Sequence, residues 1–125
     1  MQTQNNNTTE QRHYRKTVIE LYTEAVDKVT SSRLSAQQVS ASGNNFTGLN
    51  NNILANAQKE LGYKSNVWFT EKQMQEQNLV QIDEDNYGVI LFSTYLKDIE
   101  GTNRKEKALR FYKVFNKDAL ETIPL

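Results

Sequence analysis

The sequence predicts an α+β fold, a small antiparallel sheet with three or four helices packed on one face of a single domain. Three observations lead there. Apolar residues in the first half recur at the three-and-four spacing of helices, while those of the second half sit in alternating β-branched and aromatic runs. Residues that begin and end helices fall at the joints between these segments. A chain of 125 residues buries one core and leaves little for another. The domain is therefore set at residues 9–125, preceded by a Gln/Asn-rich tail, residues 1–8, that has no apolar anchor and is expected to be disordered.

Thr8 and Gln11 have capping-box spacing, and Tyr14, Val18, Leu21, Tyr22, Ala25, Val26 and Val29 then form one helical face, predicting a first helix from about Thr9 to Thr30. Ser31 to Thr47 is rich in serine and asparagine and reads as loop, with Leu34 and Val39 able to support a brief helical turn. Leu49, Ile53, Leu54, Ala57 and Leu61 share a face, and Gly62 occupies a left-handed C-cap position, giving a second helix from Asn50 to Leu61. Thr70 and Gln73 have capping-box spacing and open a short third helix ending near Asn78. Val80 and Ile82 are candidates for an extra strand. Tyr87 to Leu96 and Leu109 to Phe115 read as two strands, joined by a long charged tip, Lys97 to Lys107, that reads as flexible. Asn116 is an N-cap type that opens a last helical turn through Leu120.

Composition narrows the chemistry. There is no cysteine, so neither a disulfide framework nor a thiolate metal site is expected, and the single histidine, His13, cannot supply the usual imidazole pairs. No glycine-rich phosphate loop or activated nucleophile is recognisable, so the chain is expected to be no enzyme and to use no cofactor or metal. Asp83-Glu84-Asp85, just before Asn86 and a strand, reads as a turn rather than a cation site. Neither an N-terminal leader nor a run of about 20 apolar residues is present, which predicts a cytoplasmic protein with no membrane contact.

The formal charge is zero, which argues against broad electrostatic capture of duplex DNA. The charge is unevenly spread. Glu71 to Asp85 holds five acids against Lys72, whereas Lys97 to Lys113 holds six bases against Asp98, Glu100 and Glu106. A local basic face on a neutral molecule is the expectation.

Three runs combine rings with neutral hydrogen-bonding side chains: Phe46-Thr47-Gly48-Leu49-Asn50, Val67 to Gln73, and Tyr112-Lys113-Val114-Phe115-Asn116. Flat rings beside amides and hydroxyls suit unpaired bases. Trp68 has two readings, a core ring or a stacking surface; because consecutive residues of an extended segment face opposite ways, one of Trp68 and Phe69 is expected inside and the other partly open. Thr70 and Gln73 are explained as a capping box, and the helix start they define, with Lys72 in the same turn, is also a candidate phosphate site. Asn50 reads as an N-cap or a base contact. Alternation places Arg110 and Tyr112 on one strand face as a ring with a phosphate partner, and Arg104, Lys105, Lys107 and Lys113 complete the basic region.

In this order and spacing the three runs resemble the N-terminal domain of the ArdC antirestriction proteins, over roughly Tyr14 to Leu120. The pattern of aromatic, small residue, glycine, aliphatic and asparagine matches Phe46 to Asn50. Tryptophan, hydrophobe, threonine and glutamine match Trp68, Phe69, Thr70 and Gln73; the terminal aromatic, phenylalanine and asparagine match Tyr112, Phe115 and Asn116. The proline and tryptophan that usually follow the first helix are missing from Ser31 to Asn45, and a basic turn is replaced by Asp83 to Gly88. The resemblance implies sequence-independent binding of single-stranded DNA by a stand-alone domain of a mobile genetic element serving replication, transfer or antirestriction; the residues leave the choice between DNA and RNA open. The zinc-protease-like domain of full-length ArdC proteins is not part of this sequence. The alternative reading is an adaptor that engages restriction or replication proteins through Asp83 to Asp85.

Overall fold

The computed structural model describes residues 17–29 and 36–124. The expected tail and the start of the first helix lie outside these residues. Helix α1, Val18–Val29, is followed by a two-residue strand β1, Val39–Ser40, and by helix α2, Gly48–Leu61. Strand β2, Val67–Thr70, runs directly into helix α3, Glu71–Glu76; then come β3, Leu79–Gln81, the long hairpin β4, Val89–Asp98, and β5, Lys105–Asn116. A 3-10 turn, Lys117–Ala119, leads into β6, Leu120–Thr122.

Local chemistry explains most of these boundaries. Gly62 ends α2 in the left-handed region at φ 72°, its N–H reaching the carbonyls of Gln58 and Lys59. Thr70 and Gln73 form the full capping box at α3: Gln73 N–H donates to Thr70 Oγ1 at 3.2 Å, and Thr70 N–H to Gln73 Oε1 at 2.9 Å. Asn116 caps the 3-10 turn by accepting from Asp118 N–H at 2.8 Å. The acidic 83–88 segment is a turn, as its sequence suggests: Asp83 Oδ1 accepts from Asp85 N–H and Asn86 Oδ1 from Gly88 N–H, both at 2.9 Å.

The main sheet has the order β1-β2-β5-β4. It is mixed, which corrects the all-antiparallel expectation: β1 runs parallel to β2, pairing Val39 with Val67 and Ser40 with Trp68, while β2, β5 and β4 are antiparallel. A parallel pair needs a crossover, and α2 supplies it between β1 and β2. The segment read as loop therefore contributes a strand. Val80 joins no main-sheet strand; β3 pairs antiparallel with β6 in a second sheet of two strands. The hairpin is also longer than its sequence suggests, with pairing out to Asp98 and Lys105, so that only residues 99–104 form the tip. Lys97 stands opposite Glu106 and Asp98 opposite Lys105, and these opposed charges suit continued pairing. Turn bonds from Thr102 N–H to Ile99 O and from Ile99 N–H to Arg104 O order the tip itself.

Two clusters form the interior. The larger joins Val29 of α1 and Ile53, Leu54 and Ala57 of α2 with Trp68, Leu91, Phe92 and Val114 of the sheet. The smaller joins Met74 of α3 with Phe69, Phe115 and Leu120. Alternation along β2 sends Trp68 to the first and Phe69 to the second. Both are buried, at 1% and 6% exposure, so neither ring stays open and the expected division between them does not hold.

Burying an indole requires a partner for its N–H. Trp68 Nε1 donates to Gln38 Oε1 at 2.8 Å, and Gln38, fully buried, donates from Nε2 to Gln58 Oε1 at 2.8 Å and to Ala36 O at 3.1 Å. The Gln38 backbone N–H donates to Asn51 Oδ1, and its carbonyl accepts from Phe46 N–H. One glutamine thus ties β1, α2, β2 and the Phe46 loop together. Gln38→Ala is expected to lower the unfolding free energy by about 1–3 kcal/mol by stranding the indole N–H; urea denaturation followed by Trp68 fluorescence measures it.

Candidate nucleic-acid interface

The three runs converge. Phe46 from the loop before α2, Trp68 and Thr70 from β2, Gln73 from α3 and Tyr112 from β5 line a single groove of about 280 Å³, together with Ser40, Ser42, Asn44, Asn45 and Val114. The β2–β5 register explains the meeting of the second and third runs: Thr70 lies opposite Val114, and Tyr112 is two residues along the same strand face. The first is brought in by Gln38, whose carbonyl holds the Phe46 backbone at 2.9 Å, and by Gln37, whose Nε2 donates to Phe46 O at 2.8 Å. Phe46 and Tyr112 are half-buried; Trp68 contributes only an edge because its ring belongs to the core.

Beyond Tyr112 the same face carries Arg110. Its Nε donates to Ser93 Oγ at 3.1 Å, and its guanidinium lies 5.4 Å from the centre of the Tyr95 ring. A face of exposed Tyr95 and Arg110 and half-buried Tyr112 therefore leads along the hairpin into the groove. Alternation sends the other predicted strand cations elsewhere: Lys105, Lys107 and Lys113 share the opposite face, and Lys113 borders a separate groove with Glu71 and Glu84. Lys105 stands 3.8 Å from Asp98, both exposed. Arg104 lies in the tip, and Lys72 is exposed on α3. The basic region is consequently split between two faces rather than gathered beside the rings.

Two further expectations change. The amide of Asn50 faces the backbone of β4: Nδ2 donates to Phe92 O at 2.7 Å, and Phe92 N–H donates to Oδ1 at 3.0 Å. Both of its groups are occupied, and the residue is a clamp rather than a base contact. The N-terminus of α3 is a weaker phosphate cradle than its sequence suggests, since the helix has six residues and the capping box takes the Gln73 N–H. Phe115 and Asn116 are likewise structural; both are buried, and Asn116 Nδ2 holds Ser65 O at 2.8 Å.

The sequence did not single out Ser40, Ser42, Asn44, Asn45 or Gln38. The serines and asparagines had only a loop-like composition to mark them, and nothing distinguishes Gln38 from its exposed neighbour Gln37 before β1 is placed. Among the described residues no group of three His, Cys, Asp or Glu is arranged to hold a metal ion, and no helix is long and apolar enough to cross a membrane. His13 lies outside those residues.

A family model, the N-terminal domain of anti-restriction factor ArdC, matches residues 6–117. Among solved structures the chain is similar to the metal-free antirestriction ArdC protein from the R388 plasmid, at 27% identity and a TM-score of 0.65, over 83% of this chain and 42% of that one. The Mn(II)-bound structure of that protein is similar at 23% identity and the same TM-score, over 84% of this chain and 42% of that one, which bears on the fold. The chain thus spans less than half the length of these neighbours. No curated protein matches it.

Burial raises the Tyr112 phenol above its ordinary 10.0. The folded state therefore holds this proton more tightly than the unfolded chain does. Its contribution to stability is full below 10.0 and is lost as the pH climbs through the folded-state value. Urea midpoints measured below and above that pH should fall more steeply for the native chain than for Tyr112→Phe.

Proposed function

Because the chain belongs to the family of the N-terminal domain of anti-restriction factor ArdC, we propose that it binds single-stranded DNA without requiring a defined sequence. In this reading it serves a mobile genetic element, in antirestriction, transfer or replication, and carries out no reaction of its own. The observation that supports the reading is the meeting of three separated runs on one groove, with the rings of Phe46 and Tyr112 beside hydroxyls and amides and Arg110 on the adjoining face.

The physics of that arrangement suits an unpaired strand. Every base has a flat face, so stacking on Phe46, Tyr112 and the exposed Tyr95 tolerates any of them, whereas a duplex hides those faces. Arg110, braced by Ser93, is placed to meet the backbone between stacked bases. Few cations share this face, so affinity should weaken only gently with salt. The cytoplasm, where such strands arise, is the compartment this role calls for. A second reading, a protein-docking module, draws on the groove that Glu71 and Glu84 border and predicts that the rings are dispensable.

Fluorescence anisotropy with labelled single-stranded, duplex and RNA oligonucleotides tests the proposal. Single strands should bind more tightly than duplex; equal binding would remove it. Phe46→Ala and Tyr112→Ala should each cost about 1–3 kcal/mol of binding, with the fold retained by circular dichroism. Arg110→Ala should weaken binding more than Lys113→Ala, which lies on the other face. Unchanged affinity in all four variants would favour the docking module.

A further inference from the structure

We infer that the groove is a single-base pocket that prefers keto bases, thymine or uracil, over the amino base cytosine. The inference rests on the reading of the chain as a single-strand binder and concerns what that strand presents to the groove.

The fold fixes which way the Gln73 amide faces. Thr70 Oγ1 already accepts from Gln73 N–H, and Gln73 Oε1 already accepts from Thr70 N–H. The second bond also fixes the amide, because only its oxygen can receive an N–H. The capping box leaves the Thr70 hydroxyl proton and the Gln73 amide NH₂ free to donate, and Gln73 Nε2 donates to no described residue.

The serines that line the same groove also have a proton to offer. Ser40 Oγ accepts from Asn44 N–H at 3.2 Å, Ser42 Oγ accepts from Asn44 Nδ2 at 3.3 Å, and the two hydroxyls share one proton at 2.8 Å. Whichever serine donates across that pair, the other keeps a proton to offer outward. Tyr112 can donate or accept, and the exposed amides of Asn44 and Asn45 at the mouth add carbonyl oxygens. The groove that Phe46 and Tyr112 help to line thus presents several hydroxyl and amide donors, of which the Gln73 NH₂ has a fixed sense.

At about 280 Å³ the groove lies just below the roughly 300–1,000 Å³ of pockets that enclose drug-sized ligands, a scale that suits one base. Thymine and uracil carry a carbonyl at C4 where cytosine carries an amino group. With the base seated so that C4 faces Gln73, which is part of the inference, a carbonyl meets the NH₂ as acceptor to donor, whereas an amino group sets donor against donor.

The test is anisotropy of the full chain with labelled oligo(dT), oligo(dU) and oligo(dC) of equal length at one salt concentration. The dT and dU strands should bind about five- to tenfold more tightly than dC. Gln73→Glu separates this cause from strand flexibility: glutamate is an ordinary third residue of a capping box, so α3 should form as before, while the outward donor becomes an acceptor. The dT-to-dC ratio should then fall to one or below, whatever uniform loss the added charge causes. Ser42→Ala, in the segment after β1, should lower the ratio with the α3 capping box intact. Equal wild-type affinities, or a ratio unchanged in both variants, would overturn the inference and leave single-strand binding standing; failure of every oligonucleotide to bind would remove both.

Discussion

The indole N–H of Trp68 sits in a dry interior only because Gln38 is buried against it. That hydrogen bond constrains more than a ring. Gln38 is positioned by Asn51 and Gln58 of α2, and its own backbone fixes β1 and the start of the Phe46 loop. A buried amide is tolerable only when fully paired, so the glutamine, the tryptophan and the α2 side chains hold one another in a single arrangement. The parallel β1–β2 pair, too short to persist alone, forms as part of it. The groove inherits its walls from this core.

The family pattern reads differently once its residues are placed. Phe69, Phe115 and Asn116 are buried, Trp68 shows the groove only an edge, and Asn50 is bound to a strand backbone. These positions preserve the frame, while Phe46, Thr70, Gln73 and Tyr112 are also presented to the outside. Thr70 and Gln73 do both at once, because satisfying the start of α3 decides which of their atoms remain available. Structural and recognition roles are coupled within the same side chains.

What the sequence made legible was local. The α2 face and its Gly62 stop, the capping box, the hairpin strands and the Asn116 cap depend on residues within a few positions of one another, and all are present. The mixed sheet was not legible, since β1 has two residues and its pairing depends on a helix lying between it and its partner. The fates of Trp68 and Asn50 turned on contacts 30 and 42 residues away, Gln38 and Phe92, for which periodicity carries no signal. The division of the cations follows from alternation once the hairpin's length is known; a run of charges resembles a loop in the sequence, yet Lys97 and Glu106 face each other across paired strands.

The Asn50 clamp also limits how the sheet can grow. β4 is an outermost strand, and at Phe92 both outward backbone groups are engaged by one side chain that imitates a neighbouring strand. A foreign chain cannot extend the sheet past that point without first evicting α2. Strand addition along β4, whether by a binding partner or by a misfolded copy, is thereby confined to its distal half, where Lys97 stands as an electrostatic gatekeeper.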